Sequence, residues 1–275
     1  MPELPEVETV LQGLEPELKG LVISKVWVLN PKLREKVPDD FSLLLEGQRI
    51  EKLWRRSKYL VIDLQTDLSI IIHLGMSGRL NISGSFDLKN KQKHDHIIIE
   101  FNNGRSIIFT DPRRFGLVTI ANKRSINSSK YFRALGPEPL SEEFNSAYLS
   151  GKIFNKKKPI KTLLMDAEIV VGVGNIYASE SLYKAKILPT RPASSLTENE
   201  VNLLILAIKQ VLQEAIASGG SSLRDYVKAD GNLGYFQFLH KVYAREASAC
   251  YECGYMIRKV KQSGRSSFYC KNCQT

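Results

Sequence analysis

No cysteine occurs in the first 249 residues of this 275-residue chain, and four then fall within the last 26. Long apolar runs are missing too. Leu68 to Leu74 and Ile97 to Ile99 are among the longest, far short of the roughly 20 residues that a bilayer-crossing helix needs. These absences exclude a disulfide framework spread through the fold and a helical membrane anchor. The opening Met1-Pro2-Glu3-Leu4-Pro5-Glu6 is acidic where an export or transit peptide is basic, so no targeting segment is expected. A reducing setting, cytoplasmic or otherwise intracellular, is the expectation. Neither an internal repeat nor a low-complexity segment is present beyond Lys156-Lys157-Lys158. Acid is in short supply: 39 Lys and Arg face 29 Asp and Glu, a formal net charge of +10. That surplus specifies no fold, but it attracts polyanions, and clustered cations displace counterions from phosphates. Charge alone fits a merely solvated basic surface equally well.

The late cysteines are spaced Cys250-x2-Cys253-x16-Cys270-x2-Cys273. Each pair puts two sulfurs on one tight turn, and two such turns close a tetrahedral, all-thiolate shell around Zn²⁺. With four protein ligands no coordination position is left for water, so one structural zinc is expected rather than a catalytic one. Two disulfides or a chance spacing are the other readings of these four residues. Between the turns lies Ile257-Arg258-Lys259-Val260-Lys261-Gln262-Ser263-Gly264-Arg265, a basic segment with a turn in it. A metal-stiffened basic hairpin favours nucleic acid as the partner.

The length allows two domains with cores of their own. Val7, Val10, Leu11, Leu14 and Leu18 recur at helical spacing, which predicts a helix over 5–18 with Pro5 in its first turn. Strands are expected over 22–29, 59–64, 69–73, 96–101, 106–109 and 117–120, with Asn103-Gly104 marking a hairpin. Many short strands separated by turn residues indicate a sandwich or barrel ending near Ile126. Gly136-Pro137-Glu138-Pro139 and the polar stretch to Lys158 read as a hinge. Thr197 with Glu200 forms a capping box for a helix bearing Val201, Leu204, Ile205, Ile208, Val211, Leu212 and Ile216, and Gly219-Gly220 stops it. The stretch 218–234, rich in Gly, Ser and Asp, reads as a mobile loop.

Pro2 is the chemically suggestive residue at the N-terminus. Methionine before a small residue is normally removed, which leaves a secondary amine with a reference pKa of about 7.7–8.0. Such an amine can attack a sugar anomeric carbon and form an iminium ion, and a protonated carboxyl from neighbouring Glu3 or Glu6 can serve as the acid. An ordinary helix start, with Glu favoured by the dipole, accounts for the same residues.

Several segments taken in order resemble the formamidopyrimidine-DNA glycosylase (8-oxoguanine DNA glycosylase) family. They are 1–9 (MPELPEVET), 73–78 (HLGMSG), 94–96 (HDH), 111–116 (DPRRFG), 172–177 (GVGNIY) and the cysteine quartet with Gly264-Arg265 before Cys270. The resemblance covers nearly the whole chain. It implies an α+β fold: a β-sandwich with a flanking helix over 1–127 and a linker over 128–158. A helical domain with a helix–two-turn–helix follows over 159–240, then a zinc hairpin over 241–275. The implied activity is a bifunctional glycosylase and abasic-site lyase of base excision repair. It excises oxidised purines from double-stranded DNA, the lesion being flipped out of the stack, and a monomer is expected.

By the same resemblance Pro2 is the nucleophile, Glu3 the general acid, and Lys58 a proton donor during β-elimination. Arg265 acts at the phosphate of the damaged site and in δ-elimination. Met76, Arg113 and Phe115 fill the gap left by the flipped nucleotide, since a thioether, a guanidinium and a ring can replace lost stacking. His94, Lys156 and Asn175 contact phosphates, and 218–231 closes over the everted base. On spacing alone Lys58 is a strand-edge lysine, Met76 and Phe115 are core residues, and Lys156 is solvated. The sequence departs from the family pattern at Ser57, Ala244 and Ala247, where glycine (or, at the first, alanine) is usual, and at Ala167, where an amide residue is usual. An endonuclease VIII-like enzyme for oxidised pyrimidines and a non-catalytic zinc protein that binds distorted DNA remain alternatives.

Overall fold

The computed structural model describes residues 1–221 and 236–275. Within them the chain forms two compact units, Met1–Arg133 joined by the segment from Ser218, and Ala134–Ala217 joined by Phe236–Thr275. Most of the expected 218–234 loop, and of the 218–231 segment assigned to the everted base, lies outside the described residues.

The first unit opens with helix α1 (Leu4–Leu18), whose Val7, Val10, Leu11, Leu14 and Leu18 are buried as their spacing requires. Next come β1 (Ile23–Val28), a short α2 (Phe41–Leu45), β2 (Ile50–Arg56), β3 (Tyr59–Leu64) and β4 (Leu68–His73). They are followed by β5 (Arg79–Ser83), β6 (Asp95–Phe101), β7 (Ser106–Thr110) and β8 (Leu117–Asn122). The strands form two four-stranded sheets, ordered β1-β6-β7-β5 and β2-β3-β4-β8, and every neighbouring pair is antiparallel. One apolar cluster joins them: Leu14 and Leu18 from α1, Phe41 and Leu45 from α2, Ile62 and Ile72 from one sheet, Ile99 and Phe109 from the other.

Val61 and Ile71 are also fully buried but lie outside that cluster, so the central strands of the second sheet are covered on both faces. That is why β3 and β4 carry consecutive apolar residues, Leu60 to Ile62 and Ile70 to Ile72, rather than alternating ones. Phe132 meets the rings of Trp54 and Tyr59, so residues just past β8 contribute to the second face. The Asn103-Gly104 hairpin joins β6 and β7, with Gly104 at φ 78 donating to the Phe101 carbonyl at 2.9 Å.

The second unit carries α3 (Ser146–Ile153), α4 (Ile160–Leu164), α5 (Asn175–Lys184) and α6 (Glu198–Ala217), then the hairpin of β9 (Arg258–Gln262) and β10 (Arg265–Tyr269). Helix α5 packs against α6 and against β10. The capping box of α6 is formed: the Thr197 backbone N–H donates to Glu200 Oε2 at 2.8 Å, and the Glu200 N–H donates to Thr197 Oγ1 at 3.3 Å. Gly219 and Gly220, at φ 74 and 76, turn the chain away after Ala217.

Candidate functional site

In the first unit, Pro2 and Glu3 lie immediately before α1, and both are buried. Glu6, one turn on, is 2 % exposed. Its Oε2 accepts the Glu3 backbone N–H at 2.8 Å and its Oε1 accepts that of Ser221 at 2.8 Å. Glu6 thus anchors the helix start to the turn after α6, and the Glu3 side chain accepts the Glu6 backbone N–H in return, a reciprocal capping box. A Cβ on Gly220 would stand 2.9 Å from Glu6 Oε1, so glycine there permits the approach. Farther along α1, Glu8 Oε2 accepts from Arg55 Nε at 2.7 Å, while Arg55 Nη1 donates to the Ser57 carbonyl at 3.0 Å. That guanidinium joins α1 to the β2–β3 turn on which Lys58 stands. The Lys58 charge is felt at His73, whose pKa burial, Arg34 and Lys58 together push down to about 4.

Met76, Arg113 and Phe115 are exposed side chains on two loops that interlock. The buried carboxylate of Asp111 organises the second loop, accepting from Ser77 Oγ at 2.6 Å and from the Gly116 N–H at 2.7 Å. Ser77 Oγ in turn accepts the Arg113 N–H at 3.2 Å. Gly75 has φ 64, and a Cβ there would lie 2.4 Å from the Phe115 carbonyl carbon, so only glycine lets the loops touch. The Gly75 N–H donates to His73 Nδ1 at 2.9 Å. Arg113 lies over the Phe115 ring, 5.1 Å from its centroid. His94 belongs to the same construction, because its carbonyl accepts the Asp111 N–H at 3.0 Å. Met76 and Phe115, 36 % and 47 % exposed, are therefore not core residues.

In the second unit, Gly172 at φ 77 makes the turn and Gly174 caps α5, whose first residue is Asn175. The side chain of Lys161, only 1 % exposed, reaches three oxygens: Asn175 Oδ1 at 2.5 Å, Ser267 Oγ at 2.8 Å and the Ser266 carbonyl at 3.1 Å. It thus links the turn to the strand that begins with Arg265. Arg265 itself is exposed beside a turn in which Ser263 and Gly264 both have positive φ, the two-residue geometry that suits a twisted hairpin. Lys156 is exposed on the segment between α3 and α4.

The four cysteine sulfurs lie within 4.8 Å of one another. The Cys250–Cys273 and Cys253–Cys270 pairs stand 3.9 and 3.5 Å apart. Tetrahedral zinc with bonds of about 2.3 Å places its sulfurs roughly 3.8 Å apart, so the residues fit the ion. The disulfide reading does not hold, since all four cysteines are unbonded.

Residues 1–118 match the formamidopyrimidine-DNA glycosylase N-terminal domain, 135–227 the H2TH domain of the same enzymes, and 248–275 the zinc finger found in FPG and IleRS. The formamidopyrimidine-DNA glycosylase of Ruegeria pomeroyi is 45 % identical, with 100 % of both chains covered. That of Rickettsia bellii is 46 % identical, covering 100 % of this chain and 99 % of its own. The chain belongs to the formamidopyrimidine-DNA glycosylase family. A structure of a mutant Lactococcus lactis enzyme in complex with a Fapy-dG-containing DNA superposes with a TM-score of 0.92 at 34 % identity, covering 99 % of each chain. The wild-type Lactococcus lactis enzyme with an oxidised-pyrimidine-containing DNA gives 0.91 at 34 % identity, again over 99 % of each chain. Family membership fits the two sheets, the H2TH helices and the cysteine hairpin described above.

As a glycosylase of this family the chain has three departures with one structural meaning. Ser57, Ala244 and Ala247 have φ of 56, 58 and 61, the left-handed region where glycine is at ease. Nothing in the structure explains Ala167, which is exposed. Asp111, Lys161 and the anchoring role of Glu6 escaped the sequence reading. Asp111 sits inside a quoted motif, but its partner Ser77 is 34 positions away. Lys161 gave no signal at all, because a lysine in sequence predicts solvent.

Proposed function

We propose that this formamidopyrimidine-DNA glycosylase excises oxidised purines from duplex DNA and cuts the strand at the resulting abasic site by β,δ-elimination, with the following division of labour. The observation that carries the reading is the start of α1. There Pro2 and Glu3 are buried together, and a carboxylate held by two backbone donors fixes the turn that holds them.

With Met1 removed, the Pro2 nitrogen attacks C1′ of the everted nucleotide while Glu3 protonates the sugar oxygen, and the bond to the base breaks. Nitrogen gives up its proton to the departing base, and C1′–O4′ breaks with the protonated ring oxygen leaving as the C4′ hydroxyl. The iminium so formed acidifies the C2′ proton, whose loss expels the 3′ phosphate. A second elimination expels the 5′ phosphate. Lys58 supplies protons during the first elimination, and Arg265 stabilises the phosphate charge. Met76, Arg113 and Phe115 occupy the vacated stack, while His94, Lys156 and Asn175 hold flanking phosphates. The zinc supplies no chemistry; bound to Cys250, Cys253, Cys270 and Cys273, it holds the hairpin that presents Arg265. The compartment is the bacterial cytosol or nucleoid, or another reducing interior, where free thiolates persist.

Oxidised pyrimidines form a second substrate reading, favoured by the Lactococcus lactis complex with such DNA. Borohydride trapping on a duplex with 8-oxoguanine tests the main reading and thymine glycol tests the second. A covalent adduct mapped to Pro2 is expected. An adduct at Lys58, or none, overturns the assignment of nucleophile.

A further inference from the structure

The hydroxyl of Tyr183, near the end of α5, lies 3.1 Å from Cys250 Sγ. Both residues are only 3 % exposed, so water does not compete for either atom. A cysteine bound to zinc is a thiolate with no proton to give, so the tyrosine must be the donor. An all-thiolate zinc centre carries two net negative charges, and burying them needs donors aimed at sulfur. The cysteine turns supply some themselves: backbone N–H groups of Glu252 and Cys253 reach Cys250, and that of Tyr255 reaches Cys253. Tyr183 differs because it comes from another element, 67 positions away in sequence. Its ring packs with Val242, Ile257 and Phe268 around Cys250 and Cys270, and Lys186 lies 4.9 Å from the ring centroid. The hydroxyl is thus held in one place before the metal arrives.

We propose that Tyr183 is a positioning residue of the zinc centre, whose O–H donates to the Cys250 thiolate and keeps that ligand on the metal against chelators and electrophiles. The bond withdraws electron density from sulfur and lowers its nucleophilicity. It also fastens the first cysteine turn to α5, the helix whose first residue is Asn175.

The test uses full-length, zinc-loaded protein with Tyr183→Phe and Tyr183→Leu. Metal content is measured first, so failure to bind zinc is separated from failure of this proposal. Zinc release to a chromogenic chelator is then followed with and without N-ethylmaleimide. Tyr183→Phe keeps the ring, so its melting temperature should match the parent while zinc leaves about tenfold faster. Tyr183→Leu should also release zinc faster and melt lower. Release from Tyr183→Phe at the parent rate, with only Tyr183→Leu accelerated, would show that the ring acts by packing alone and would overturn the proposal.

Discussion

Glu3 and Glu6 sit one helical turn apart, and each side chain accepts the other's backbone N–H. Both oxygens of Glu6 accept main-chain N–H groups, from Glu3 and Ser221. Replacing Glu6 by Gln puts a donor where an acceptor is needed, which costs about 1.5–3 kcal/mol. It should weaken base release and strand cleavage together. Glu3→Gln keeps the shape and removes the acid, so base release should fall by roughly 10²–10⁴, while borohydride trapping at a preformed abasic site persists. Single-turnover rates on lesion and abasic duplexes separate the two variants, and parallel losses in Glu3→Gln would remove it from the acid role. Ala244 gives a residue-scale prediction of another kind. An L-residue at φ 58 is strained by about 1–2 kcal/mol, of which glycine returns part to the unfolded chain. Ala244→Gly should therefore stabilise by up to about 1 kcal/mol, or about 2–4 °C in melting temperature. An unchanged or lower melting temperature would mean that the strain is relieved by contacts of the alanine.

Among the elements, the ones legible in sequence were those whose pattern is local. The stripe of α1 and the Thr197–Glu200 box of α6 each needed only a few consecutive residues. Strand β2 was missed because a register shift between Ile50 and Lys52 spoils its alternation, and five-residue β5 has too few apolar positions to register. The expected hinge to Lys158 contains α3, a short helix capped by Asn145. The candidate wedge was legible as motifs but not as geometry, since Ser77 and Asp111 meet only after folding. The interlocked loops make a prediction that the motifs alone do not. Asp111→Ala leaves the Ser77 hydroxyl and Gly116 N–H without their buried acceptor, so it should destabilise the first unit by a few kcal/mol, roughly one to three per orphaned group. Phe115→Ala touches only the exposed tip. It should leave melting unchanged, yet slow excision from lesion duplex more than cleavage at an abasic site, where less stacking is broken. Equal slowing on both substrates would deny the ring its wedge role.

For the molecule as a whole, the cysteine hairpin is held by other means than the rest, since the helices of the second unit bury apolar side chains such as Leu164, Leu182, Leu204 and Leu212 of their own. The first unit has a large apolar cluster drawn from two sheets and two helices, while the cluster local to the cysteines contains Tyr183, Val242, Cys250, Ile257, Phe268 and Cys270 with partly buried Tyr243 and Cys273. A core that small depends on its metal. Removing zinc, or replacing Cys253 by Ser, should melt the hairpin and abolish DNA binding while the first unit keeps its own transition. The surplus of ten positive charges then sets how binding responds to salt. On duplex DNA, log K falls against log salt with a slope of about −0.9 per phosphate contacted. Lys156 is exposed and assigned to a phosphate, so Lys156→Ala should flatten that slope by about 0.9 and weaken lesion and undamaged duplex alike. Phe115→Ala, which removes no charge, should leave the slope intact while lowering preference for the lesion. Titrations at several salt concentrations check both variants at once. An unchanged slope in Lys156→Ala would place that lysine off the DNA, and a flattened slope in Phe115→Ala would mean that the ring positions a cation instead of filling the stack.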